Sequence, residues 1–100
     1  MESYRKLVRD KIPEILDKKG VPYEQRTASG EEYRMELVKK LAEEAGEFNE
    51  AGAPEELADV LEVIDALLAL PEYANVRELQ RIKRAERGGF DAKIILKGEK

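Results

Sequence analysis

The sequence predicts a mainly all-α chain built on a helical hairpin, with a small β addition from its terminal segments. Three observations lead there. Apolar residues recur at helical spacing through two long stretches, 31–51 and 55–70, separated by only "GAP" at 52–54. Glycine or proline stands at every expected helix end. The β-tolerant runs, "VPYEQRTA" at 21–28 and "FDAKIIL" at 90–96, are brief. One hundred residues with no repeat, low-complexity tract or linker make one domain, 1–100, with a core modest enough that sharing it between subunits is expected.

Each element has its local reason. "YRKLVRDKIPEILDKKG" reads as a short extended lead and then a helix, with Asp10 able to cap, Pro13 tolerable in the first turn and Gly20 as the stop. Ser29 and Glu32 form an S-x-x-E capping box for the long helix that ends near Gly52. Pro54 suits the first turn of the next helix, and so short a link makes the pair antiparallel; Pro71 closes it. Asn75 with Glu78 repeats the capping pattern and opens a third amphipathic helix that stops at Gly88-Gly89. "FDAKIIL" alternates enough for a short strand, a pairing partner for the early extended segment.

Composition narrows the chemistry. With no Cys and no His, any metal must be held by oxygen ligands, which points to hard ions, Mg²⁺ or Mn²⁺. No apolar run approaches the roughly 18 residues needed to cross a bilayer, and no signal-peptide apolar segment follows the basic N-terminal stretch, so a cytoplasmic protein without membrane partners is expected. The net charge of −4 is segregated. Residues 31–72 hold 13 of the 22 acidic and three of the 18 cationic side chains, a local balance of −10 that leaves +6 on the flanks. Such segregation suits a site that gathers metal cations in one place and phosphate anions beside it, and also suits plain solvated helix faces.

Helical projection separates those alternatives. At about 100° per residue, Tyr33, Leu37, Val38, Leu41, Ala42, Ala45 and Phe48 cover roughly half of the first long helix. Glu44 falls inside that arc and Glu47 lies just beyond its edge. On the second helix Leu57, Val60, Leu61, Val63, Ile64, Leu67, Leu68 and Leu70 form a similar arc, with Glu56 within it and Asp59 at its border. Each helix thus aims two acids, three residues apart, at its packed side. An unpaired carboxylate among apolar groups costs several kcal/mol or takes up a proton, and a divalent cation removes both the penalty and the repulsion. Singly, the acids have ordinary readings: Glu56 complements the helix dipole, and Glu44 can pair with Lys40. Glu86 intrudes on the apolar arc of the third helix in the same way, so intrusion alone does not make a ligand.

On the third helix Lys83 and Arg87 flank the stripe of Val76, Leu79 and Ile82, as phosphate-binding candidates or as partners of Glu86. Arg9 and Lys11 can likewise meet an anion, or balance Asp10 and Glu14. Neither a phosphate-binding glycine loop nor a nucleophile elbow is present, and an acidic domain with few aromatics is no reader of polymeric nucleic acid.

"EEAGE" at 43–47 followed by "ELAD" at 56–59 resembles the E-E-x-x-E then E-x-x-D signature of the all-α nucleoside triphosphate pyrophosphohydrolases, the superfamily of MazG, dimeric dUTPases and phosphoribosyl-ATP pyrophosphohydrolase. The flanks "KLVRDKIPEIL" and "ERGGFDAKIIL" resemble a small MazG-like branch labelled phosphoribosyl-ATP pyrophosphohydrolase-like, so the likeness spans nearly the whole chain. The resemblance implies a four-helix-bundle-like MazG-type core completed by oligomerisation, as a homodimer or homotetramer. It implies Mg²⁺ bound by Glu44, Glu47, Glu56 and Asp59, with Glu43 orienting water or supporting the ligands. It also implies Mg²⁺-dependent hydrolysis of a nucleoside triphosphate between the α- and β-phosphates, giving a monophosphate and pyrophosphate. The proton acceptor would then be hydroxide on the metal or a carboxylate such as Glu43 or Glu47, with Lys83 and Arg87 steadying the leaving group. The alternatives are a phosphoribosyl-ATP pyrophosphohydrolase, a nucleotide sensor, and a non-catalytic helical nucleotide-binding or assembly module.

Overall fold

A computed structural model describes residues 5–99 and contains four helices, α1 (Ile12–Lys19), α2 (Gly30–Ala51), α3 (Pro54–Leu68) and α4 (Val76–Arg87), with one 3₁₀ turn at Pro71–Tyr73. The first residue of the expected extended lead, Tyr4, lies outside the described residues.

The principal packing is α2 against α3. Gly52 ends α2 in the left-handed region, at φ 62°, which glycine enters without steric penalty, and its N–H donates to the Phe48 carbonyl at 2.8 Å. Ala53 is extended and Pro54 begins α3. Two residues therefore reverse the chain and lay the acidic segments of both helices side by side.

The caps differ from expectation. Lys11, rather than Asp10, stands at the start of α1. Ser29 and Asn75 occupy the cap positions of α2 and α4, but neither side chain bonds the helix backbone. Their expected partners are engaged elsewhere: Glu32 accepts from both guanidinium nitrogens of Arg26, at 2.7 and 2.5 Å, and from Arg5, while Glu78 accepts from Arg81 at 2.6 Å. A charge-assisted bond to a guanidinium outcompetes one to a neutral backbone amide.

Nor does the expected strand at 90–96 form. Lys93 adopts φ 59° in a turn closed by its N–H to the Phe90 carbonyl at 3.1 Å, and no strand occurs among the described residues. Phe90, Ile94, Ile95 and Leu96 are exposed, so this arm finds no sheet edge or core to fold against among the described residues.

The core of the single chain is slight. Leu37 alone among the described hydrophobic residues is buried, at 4% exposure, while Val38, Leu57 and Leu61 of the projected arcs stay open. The Cα radius of gyration is 18.0 Å, against about 13 Å for a compact chain of this length. An apolar groove of about 330 Å³ runs between Val38 and Leu41 of α2, Ile64, Leu67 and Leu68 of α3, and Tyr73 and Val76 beyond them. Its polar edge is the Tyr73 hydroxyl, which accepts from Arg34 at 3.2 Å.

The guanidinium groups of Arg26 and Arg5 hold the Glu32 carboxyl down at about 2. Its stabilisation is present above the usual carboxylate range and is lost as pH falls towards the depressed value. Glu32→Gln is expected to unfold at lower urea than the natural chain at pH 7, with the gap closing between pH 5 and pH 2.

Candidate metal centre

The hairpin brings carboxylates together from both of its helices. One oxygen each from Glu44 on α2 and from Glu56 and Asp59 on α3 lie within 4.8 Å of one another, and all three residues are half-buried. Two unit charges at that distance repel by about 1 kcal/mol in water and about 3 to 4 kcal/mol at the effective dielectric of a protein surface, so three together strain the fold unless cations intervene.

Cations do intervene, incompletely. Arg9 donates from Nη2 to Oδ1 of Asp59 at 2.7 Å. Lys40, whose side chain is only 20% exposed, stands 3.6 Å from Glu43 and 3.9 Å from Glu44. Lys6 donates to Glu43 at 3.0 Å and holds that carboxyl below its ordinary range, with help from Lys40. Glu43, Glu44, Glu47, Glu56 and Asp59 against Lys6, Arg9 and Lys40 leave a formal balance of −2 among these described residues, which one divalent cation would offset.

The deficit is concentrated on Glu44. Its side chain is 14% exposed, and Oε2 is buried without a hydrogen-bond partner among the described residues. Burial pushes its carboxyl up, repulsion from Glu47 and Asp59 pushes it further, and Lys40 opposes them. A buried carboxylate oxygen without a partner among the described residues, on a side chain grouped with Glu47, Glu56 and Asp59, is poorly satisfied by protein alone. A donor set made only of carboxylate oxygens fits Mg²⁺ or Mn²⁺, the hard ions that the composition allows.

Of the four acids selected by projection, the structure therefore gathers Glu44, Glu56 and Asp59. Glu47 sits beside Glu44, close enough to perturb it, without joining the three-oxygen group. Glu43 is adjacent and tied to two lysines. Among the cation candidates, Arg9 reaches the site; Lys11 is exposed and makes no ion pair among the described residues. Lys83 and Arg87 are exposed on α4, which packs only lightly on the hairpin, and neither forms a hydrogen bond or ion pair among the described residues. Two site-lining residues were not selected as such from sequence. Lys40 was legible through its i,i+3 and i,i+4 spacing to Glu43 and Glu44, whereas Lys6 meets Glu43 across 37 residues and left no local sign.

No family model, curated protein or solved structure matches this chain.

Because the folded chain raises the Glu44 carboxyl, the protonated form is favoured by folding: this contribution is intact below the ordinary carboxylate range and is lost as pH rises through the elevated value. In EDTA at pH 7.5, Glu44→Gln is expected to be more stable than the natural chain by on the order of 1 kcal/mol in urea unfolding, and the difference should vanish near pH 4.

Proposed function

We propose that the chain is a Mg²⁺-dependent nucleoside triphosphate pyrophosphohydrolase, cleaving between the α- and β-phosphates to yield a monophosphate and pyrophosphate. The observation that carries this is the meeting of Glu44, Glu56 and Asp59 across the hairpin, with one buried Glu44 oxygen unpartnered among the described residues. The spacing that produces it, "EEAGE" and then "ELAD", is the spacing of the resemblance described above.

In the proposed site Glu44, Glu56 and Asp59 hold the cation, with Glu47 beside Glu44 available to it. When bound, Mg²⁺ neutralises phosphate charge and makes water a better nucleophile. The chain's own groups then divide the remaining work. Glu43 is held ionised by Lys6 and is a poor proton acceptor, which suits it to orient water by accepting a hydrogen bond. Glu47, beside Glu44 and without an ion pair among the described residues, is the carboxylate proposed to take the proton. Lys40 and Arg9 supply positive charge at the edge of the acids, where the oxygens of a polyphosphate would lie.

Self-association belongs to the same proposal. The surface of 9268 Å² exceeds the roughly 5,800 Å² typical of a folded monomer of 11.4 kDa. That excess is more than a standard protein interface buries. A second hairpin laid on the apolar groove would complete a four-helix core, cover the exposed apolar residues of the arm at 90–96, and offer Lys83 and Arg87 a route to phosphate.

The test is pyrophosphate release from a panel of ribo- and deoxyribonucleoside triphosphates with Mg²⁺. Equimolar monophosphate and pyrophosphate are expected, abolished by EDTA and reduced at least a hundredfold in Glu44→Ala. Intact substrates despite nucleotide and Mg²⁺ binding would make the chain a sensor; with no binding, it would be an assembly module.

A further inference from the structure

The acids of the hairpin are not open to solvent on every side. Residues 5–11 precede α1 and run across both helices, contacting them through charge at three points. Arg5 pairs with Glu32 and Lys6 with Glu43, both on α2, and Arg9 pairs with Asp59 on α3. Leu7 is half-buried between these contacts. Sequence separations of 27, 37 and 50 residues show that the clamp is a tertiary feature and not a by-product of helical spacing.

One of those contacts uses a group of the acid cluster itself. The guanidinium of Arg9 lies 2.7 Å from an oxygen of Asp59, whose carboxylate belongs to the three-oxygen group with Glu44 and Glu56. A guanidinium there and a dication among the three acids would repel across a few ångströms, so the two cannot share Asp59 without loss. The Arg9 side chain is 57% exposed and that of Asp59 40%, and ion pairs so open to water are weak and salt-sensitive. A doubly charged ion that reaches the carboxylates directly has the advantage over such a pair.

We propose that residues 5–11 form a charge-keyed strap in which Arg9 serves as a stand-in counter-ion for Asp59, displaced when a divalent cation enters the Glu44–Glu56–Asp59 group. The proposal rests on the assignment of those acids as a cation site. In the metal-free chain Arg9 relieves part of the repulsion among the acids and keeps the strap down. On cation binding the contact to α3 opens while Lys6 and Arg5 retain the strap on α2, leaving the freed guanidinium beside the site for a phosphate.

The experiment uses the full chain with Mn²⁺ as the probe, free ion being counted by electron paramagnetic resonance. Arg9→Gln removes the competitor and should tighten Mn²⁺ binding roughly three- to tenfold at low salt, less at high salt. The chain has no cysteine, so a nitroxide placed through Val8→Cys, an exposed position, reports the strap alone. Its spectrum should sharpen on adding diamagnetic Mg²⁺, and should already be sharp and unresponsive when Arg9→Gln is combined with it. Unchanged or weaker Mn²⁺ binding by Arg9→Gln, or a label that Mg²⁺ does not loosen, would overturn the strap and leave the cation site standing. Absence of Mn²⁺ binding in both proteins would overturn the site and the strap together.

Discussion

Like charges held together across a two-residue turn are the constraint on which the rest of this structure depends. Gly52 and Ala53 give α2 and α3 no freedom to separate at their joined ends, and Glu44, Glu56 and Asp59 are all within three turns of that joint. The apolar contacts around Leu37 favour close approach, while the carboxylates oppose it. Arg9, Lys40 and Lys6 reconcile the two, yet among the described residues the cluster keeps a formal excess of two negative charges and an oxygen with no partner. A fold selected only for stability would place apolar side chains at these positions, because burying charge is rarely the more stable choice.

The same economy marks the whole chain. Helices α2 and α3 carry apolar arcs wider than one antiparallel neighbour can cover, so Leu57, Leu61 and Val38 remain open and a groove persists beside Tyr73. Helix α4 and the arm after it add cations and apolar residues that the single hairpin does not use. The groove and the acids share the α2–α3 hairpin, so whatever fixes the spacing of the helices also fixes the spacing of the oxygens.

Much of this was legible in the sequence because it is local. Gly20, Gly52, Pro54 and Pro71 mark helix ends through backbone rules that tertiary contacts seldom override, and the helical period placed Glu44, Glu56 and Asp59 towards a shared face. The failures are tertiary. Ser29 and Asn75 took their cap positions, but distant or neighbouring arginines claimed Glu32 and Glu78. Ala42 and Ala45 satisfy the arc yet are exposed, since periodicity says which residues share a face and not whether a neighbour covers it. The grip of Lys6 on Glu43 and of Arg9 on Asp59 spans 37 and 50 residues, and no spacing rule anticipates such pairs.

The central claim is that the clustered, half-buried carboxylates form a cation site, and thermal unfolding in EDTA and in excess Mg²⁺, for the natural chain and Glu44→Gln, tests it most directly. A ligand held only by the folded state raises the melting temperature, by on the order of 10 °C for a chain of this size at about a hundredfold above its Kd. The account predicts that rise in the natural chain and its loss in Glu44→Gln. A melting temperature that Mg²⁺ leaves unmoved, or moves equally in both proteins, would contradict it.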